Sequence, residues 1–259
     1  MRLQAIPAFE DNYIWALVDD DGDALIVDPG QAEPVLAASR LGLWPAAVLI
    51  THHHADHCGG IAALRERWPT LPVFAPDDPR IPDASERVSD GDQVALKHWR
   101  LRVLAVPGHT ATHIAYHGGN ADGAPHLFCG DTLFSLGCGR MFEGTPPQML
   151  ASLDRLAALP PESLVCCGHE YTLANAAFAR AVDPQNDALR RRTEEAQAMR
   201  HAARPTLPTA LASEQACNPF LRVDDPAVRA AVAHRLGRAP ADRVETFAEL
   251  RRWKDGFRA

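Results

Sequence analysis

Short apolar runs separated by turn residues dominate the first two thirds of the chain: Tyr13 to Val18, Ala24 to Val27, Val48 to Ile50, Leu101 to Val106, His126 to Cys129 and Leu164 to Cys167. Runs of this length, bounded by Gly, Pro, Asp or Asn, predict strands. The tract Asp19-Asp20-Asp21-Gly22-Asp23 predicts a hairpin turn between the first two. Between the runs lie Pro34 to Arg40, Gly60 to Trp68 and Pro147 to Leu159, where apolar residues recur three and four apart. This spacing predicts helices, clearest for Met149, Leu150, Leu153, Leu156 and Leu159. Strands alternating with helices predict an α/β fold class.

From Thr172 onward the pattern changes to Ala- and Arg-rich stretches broken by Pro: Leu173 to Val182, Ala188 to Ala203, Ala227 to Leu236 and Val244 to Phe257. These predict helices. The expected organisation is an α/β domain over 1–170 and a smaller helical domain over 171–259. No internal repeat is visible, and the Ala bias by itself only favours helix.

The composition of the 259 residues, 46% hydrophobic and 23% charged, is that of an ordinary folded globular protein. No apolar run approaches the roughly 20 residues of a spanning helix, so no membrane partner is expected. Met1 to Glu10 lacks the apolar core and small-residue cleavage site of a signal peptide, which predicts a cytoplasmic location. The net charge of -7 argues against nucleic acid as a partner, since phosphate neutralisation needs clustered Lys and Arg. Six cysteines without a CxxC pair, two of them adjacent at Cys166 and Cys167, predict reduced thiols.

The strongest chemical signal is Thr51-His52-His53-His54-Ala55-Asp56-His57, directly after an apolar run. So many imidazoles and carboxylates in one short loop are costly to desolvate without a cation between them. In an extended loop His52 and His54 point the same way, which leaves His53 on the other side, while Asp56 and His57 turn toward a second ion. Three further ligand types follow strand-like runs beside a glycine: His109 in Pro107-Gly108-His109-Thr110, Asp131 in Gly130-Asp131-Thr132, and His169 in Gly168-His169-Glu170. Singly each is an ordinary loop residue; jointly they point to a metal site. His98, His113, His117, His126, His201 and His234 lie outside such turns and read as structural or solvated. Cys58, beside the loop, has no local base and reads as an inert thiol.

The set T-H-x-H-x-D-H, P-G-H-T, G-D-T and G-H-E resembles the metallo-β-lactamase superfamily, which implies an αββα sandwich with metal ligands on loops at one edge. On that resemblance His52, His54 and His109 hold a first divalent cation, Asp56, His57 and His169 a second, and Asp131 bridges them. Thr51 and Gly130 shape the loops. Zinc is the first choice of metal, with iron and manganese accepted by the same ligand types. The superfamily alone leaves the substrate open.

Further segments narrow it: Ile6-Pro7-Ala8-Phe9, Asp11-Asn12-Tyr13, Gly137 to Thr145, Gly168 to Thr172, Asn218-Pro219-Phe220-Leu221-Arg222 and Arg251 to Asp255. Together they resemble the glyoxalase II (hydroxyacylglutathione hydrolase) family over nearly the whole chain. The resemblance implies hydrolysis of S-D-lactoylglutathione to D-lactate and glutathione, the second step of methylglyoxal detoxification, by water activated between the two cations. It assigns Arg140, Phe142, Tyr171, Arg251 and Lys254 to glutathione, and Asp56 and Asp131 to the catalytic centre. Some members carry Lys and Tyr where this chain has Arg140 and Phe142, which removes one hydroxyl contact. Independently, Arg and Lys bind carboxylates through charge-assisted hydrogen bonds, and glutathione carries two carboxylates. A thiolate leaving group makes a strong general acid unnecessary. A monomer acting on a small molecule is expected. The alternatives are a glutathione persulfide dioxygenase, which lacks the long helical extension, and a non-catalytic metal-binding member of the fold.

Overall fold

The computed structural model describes residues 1–119 and 123–258. In chain order the elements begin β1 (Arg2–Ala8), β2 (Asn12–Val18), β3 (Asp23–Val27), α1 (Glu33–Ser39), β4 (Trp44–Leu49), α2 (Ala55–Cys58), α3 (Ile61–Arg67) and β5 (Val73–Ala75). They continue through β6 (Glu86–Arg87), β7 (Gln93–Leu96), β8 (Trp99–Ala105), β9 (Ile114–Gly119), β10 (His126–Gly130), β11 (Leu133–Phe134), β12 (Gly137–Cys138), α4 (Pro146–Ala157) and β13 (Leu164–Cys167). The last are α5 (Thr172–Val182), α6 (Asp187–His201), β14 (Thr209–Ala210), α7 (Leu211–Cys217), α8 (Pro226–Leu236) and α9 (Arg243–Gly256). The chain forms two compact units, one of Met1–Ala105, Thr112–Gly130 and Cys166–His169, the other of Val106–Ala111, Asp131–Val165 and Glu170–Ala259.

In the first unit β1 to β6 form one sheet in sequence order, antiparallel through β3 and parallel from β3 to β6. Every residue of β2 is buried. A strand covered on both faces has no polar side to show, which is why Tyr13 to Val18 reads as one continuous apolar run. Ile14, Ala16 and Val18 join Val35 of α1 with Ile61 and Leu64 of α3 in one apolar core. On the alternate face, the Trp15 indole N–H donates to the Cys167 carbonyl (2.9 Å). A second sheet runs from Cys166–Cys167 of β13 through β10, β9 and β8 to β7. Tyr116 of β9 donates its hydroxyl to the Ile50 and Phe74 carbonyls (3.0 and 3.1 Å), tying this sheet to the first. Because β3 and β4 are parallel, their carboxyl ends lie side by side, and the histidine loop leaves from there next to the turn that follows β3.

The second unit is mainly helical. α4 buries Met149, Leu150, Leu153 and Leu156, the stripe expected from their spacing. Its start is fixed by Pro146 in the first turn and by the Thr145 N–H donating to Gln148 (3.0 Å). α9 is capped by Asp242, which accepts from the Glu245 N–H (2.8 Å). Phe178 of α5, Phe220 and Phe247 of α9 are fully buried and form a chain of ring contacts 5.9 and 6.0 Å apart.

The predicted strands and helices all occur, with ends displaced by a few residues. Strands β1, β5, β6, β7, β9, β11, β12 and β14 and helix α7 lie where the sequence pattern predicts no element. β1 contains Pro7, which an edge strand tolerates because one side of its ladder needs no N–H. β9 ends in Gly118 and Gly119, poor strand formers; a Cβ at Gly118 would lie 2.2 Å from the Arg100 carbonyl oxygen. Asp56 and His57, expected in an extended loop, stand on the single helical turn α2, closed by the His57 N–H donating to the His54 carbonyl (2.9 Å). Among the described residues no helix is long and apolar enough to cross a membrane.

Candidate functional site

The histidine loop of the first unit is organised by a residue that the sequence pattern does not single out. Asp28 follows β3 in a left-handed conformation (φ 52) and is buried. Its carboxylate accepts from the Thr51 N–H (2.8 Å) and hydroxyl (2.7 Å), and lies 3.0 Å from His57 Nδ1. Asp11 stands in the same way 2.8 Å from Nδ1 of the neighbouring His169 ring. With Nδ1 of both rings engaged by a carboxylate, Nε2 of each faces Asp56 Oδ2, at 3.5 Å from His57 and 3.4 Å from His169. Asn12 donates to the same Asp56 oxygen (3.1 Å). His52 Nε2 and His54 Nδ1 stand 3.1 Å apart, and His52 stacks on buried His113 at 4.6 Å. His53 turns away, its Nδ1 3.6 Å from buried Asp78. The signals for Asp28 and Asp11 were their places, Val27-Asp28-Pro29-Gly30 at a strand end and Asp11 just before a buried strand.

Gly130 closes this region from the side of β10. It has φ 46, and a Cβ there would stand 2.3 Å from the Thr51 hydroxyl and 2.9 Å from the His113 ring. Burial, reinforced by Asp28 and Asp56, pushes the Cys58 thiol up to about 11, so it is a poor nucleophile at neutral pH.

In the second unit, Asp131 Oδ2 lies 3.5 Å from His109 Nε2. His109 Nδ1 is 2.8 Å from the Arg140 carbonyl, so this ring too presents Nε2 while its Nδ1 donates. The Phe142 N–H donates back to the His109 carbonyl (3.1 Å). Both residues open onto a cavity of about 490 Å³, which Arg140, Phe142, Tyr171, Arg251 and Lys254 also line. Arg140 and Phe142 are exposed, whereas the Arg251 side chain is only 5% exposed and heavily committed. Its guanidinium donates to the Cys138 carbonyl (2.7 Å) and to Asp255 (2.9 Å). Arg251 is thus part of the wall as well as a charge. Burial, with Arg251 and Arg140 nearby, lowers the Lys254 pKa below its ordinary value. All five residues expected at glutathione therefore share one cavity with His109 and Asp131.

The family description "Metallo-beta-lactamase superfamily" matches residues 12–169, and "Hydroxyacylglutathione hydrolase C-terminus" matches residues 170–257. Over 260 residues, covering all of both chains, the protein is 66% identical to a hydroxyacylglutathione hydrolase of Xanthomonas axonopodis pv. citri (strain 306). The chain belongs to the hydroxyacylglutathione hydrolase family. Among solved structures, the BLEG-1 B3 metallo-beta-lactamase shares the fold, with a TM-score of 0.64 at 24% identity over 85% of this chain and 99% of that one. TTHA1623, solved in a di-iron-bound form, matches with a TM-score of 0.53 at 30% identity over 65% of this chain and 92% of that one.

For a hydroxyacylglutathione hydrolase the donor chemistry of the first unit is decisive. Ligand atoms of Asp56, His57 and His169 lie within 4.8 Å of one another, with His57 held through its Nδ1 by Asp28. Imidazoles aimed by carboxylates at a shared point, and largely buried, fit divalent metal ions.

The second unit also carries a buried clamp on the hairpin between Asp131 and Arg140. Glu214 of α7 accepts from the Ser135 hydroxyl (2.8 Å) and the Leu136 N–H (2.7 Å). Asn218 donates to the Phe134 and Gly137 carbonyls (3.1 and 3.0 Å). Between these contacts Leu136 is held at φ 60, a conformation a leucine rarely adopts. Full burial raises the Glu214 pKa, with the Leu136 N–H, Ser135 and Arg192 opposing. Glu214 lies outside every recognisable motif, and Asn218 was visible only as part of Asn218-Pro219-Phe220.

Proposed function

We propose that the protein cleaves S-2-hydroxyacylglutathione thioesters, S-D-lactoylglutathione first among them, to a 2-hydroxy acid and glutathione. The observation that carries the reading is the single cavity in which His109 and Asp131 stand beside Arg140, Arg251 and Lys254, a metal-ligand pair next to donors for the carboxylates of a peptide-like thiol. The match of the C-terminal family description to residues 170–257 favours this over a persulfide dioxygenase or a non-catalytic member.

In this reading His52, His54 and His109 would hold one cation, Asp56, His57 and His169 the second, and Asp131 would serve both; zinc is the metal proposed for each. When bound, the cations supply Lewis acidity at the thioester carbonyl and lower the pKa of water. Asp56, fixed at Oδ2 by Asn12, orients the attacking water and takes up its proton. Asp11 and Asp28 keep His169 and His57 in the tautomer that presents Nε2. Lys254 and Arg140 bind substrate carboxylates, and Tyr171 and exposed Phe142 cover the apolar part of the thiol. The departing thiolate needs no strong acid. The protein acts as a cytoplasmic monomer, with its catalytic domain over 1–170 and its glutathione-binding domain over 171–259.

The test is direct detection of glutathione released from S-D-lactoylglutathione by metal-replete protein, with His54→Ala as control. Rapid release that the variant loses supports the reading. No release from protein carrying two metal equivalents overturns it.

A further inference from the structure

The cavity of the second unit contains one charged residue that the proposed function does not use. Asp255 lies on α9 four residues after Arg251 and lines the cavity together with Arg140, Arg251 and Lys254. Among the described residues its partners all meet one oxygen. Asp255 Oδ1 accepts from Arg251 Nε (3.2 Å) and Nη2 (2.9 Å), and Arg140 Nε lies 3.6 Å from the same atom. Among the described residues no hydrogen bond or ion pair reaches Oδ2, and the side chain is 46% exposed where that of Arg251 is 5%.

Resting on the reading of a glutathione thioester as substrate, we propose that Asp255 is a specificity-determining residue that binds the α-ammonium group of the γ-glutamyl end, with Arg140 taking the α-carboxylate on the same carbon. The charge pattern carries this. A glutathione thioester bears two carboxylates and one ammonium. A wall of Arg140, Arg251 and Lys254 alone attracts the carboxylates and repels the ammonium. One carboxylate set among the three cations converts that repulsion into a charge-assisted hydrogen bond. A guanidinium and a carboxylate side by side are complementary to a zwitterionic amino-acid head, whose two charges are one carbon apart. Arg140 is the cation most open to a ligand, its side chain 65% exposed and held, among the described residues, only by one 3.6 Å ion pair to Asp255 itself, whereas Arg251 is spent on Cys138 and Asp255, and Lys254 donates to the Ala174 carbonyl (3.2 Å).

The experiment compares kcat/KM of the full-length, metal-replete enzyme for S-D-lactoylglutathione and for the S-D-lactoyl thioester of N-glutaryl-cysteinylglycine. The second substrate keeps both carboxylates and lacks only the ammonium. Wild type is expected to prefer the glutathione thioester about 10-fold, the usual scale for one hydrogen bond to a charged group in a partly solvated site. Asp255→Asn is expected to bring that ratio to within about twofold of unity, and Asp255→Glu to restore part of it. A variant that merely loosens α9 slows both substrates together and leaves the ratio unchanged. An Asp255→Asn enzyme with the wild-type ratio, or a wild type without preference, overturns the assignment. A wild type that hydrolyses neither thioester overturns the proposed function, and this inference with it.

Discussion

Four of the candidate ligands, His52, His54, Asp56 and His57, come from six consecutive residues in the first unit, whereas the cavity of the second unit joins groups distant in sequence, such as Arg251 and Cys138, 113 residues apart and in direct contact. The two solve the same problem, holding charged or polar side chains in fixed positions, with different supports. The histidine loop depends on one buried carboxylate, Asp28, which serves both Thr51 donors and His57 Nδ1. The cavity depends on a distributed network, with Glu214, Asn218 and Arg251 each holding backbone of the Phe134–Cys138 hairpin. A loop supported at one point fails when that point is removed; a networked wall degrades by degrees.

The sharpest way to break the comparison is to remove the metal. Chelation, or His54→Ala, is expected to lower thioester hydrolysis by at least about 10³-fold, with zinc restoring the chelated enzyme. Metal analysis alongside the rate shows whether the two losses coincide. Next in size is Asp28→Asn, expected to weaken metal binding by roughly 10- to 100-fold, as read by competition with a chromophoric chelator. Undiminished affinity would show that the loop holds itself. In the cavity, Lys254→Ala is expected to raise KM by about 10-fold while changing kcat far less, because it removes one charged contact present in both ground and transition states. Steady-state kinetics separate the two parameters.

The smallest effect concerns the end of α9 that lies away from the cavity residues. Arg238 and then the Ala241 N–H hold the Glu245 carboxyl down at about 2, against an ordinary value of 4.5. A carboxyl depressed on folding contributes stability above its ordinary pKa and loses it as pH falls through the folded one. The wild type should therefore lose more Tm than Glu245→Gln between pH 4.5 and about 2, by a margin that salt reduces because the pair is exposed.

What the sequence shows of this molecule follows the same division. The apolar runs of β2, β3 and β13 and the stripe on α4 were legible because burial on both faces, or on one helical face, leaves a periodic trace. β7, β11, β12 and β14 have two to four residues each, too short for any period. The ligand-type residues were legible because their density in one loop is itself improbable. Asp28 and Asp11 were not, since a carboxylate that orients a histidine looks in sequence like any turn residue. Glu214 was hidden more deeply: a glutamate on a helix reads as solvent-facing, and only the fold reveals that its partners are Ser135 and Leu136. Arg251 was visible as a charge, but its commitment to Cys138 and Asp255 was not.

The close approach of Gly130 to Thr51 has a consequence for how such a protein changes over generations. Any side chain at Gly130 meets the Thr51 hydroxyl, and the smaller residue that would relieve the crowding gives up the hydroxyl that Asp28 accepts. Neither step alone is neutral. Because the same side chain would also meet the His113 ring, a lineage can leave Gly130 only by changing Thr51 and His113 with it, so variation among descendants should pass around all three residues and collect on the exposed faces of the helices instead.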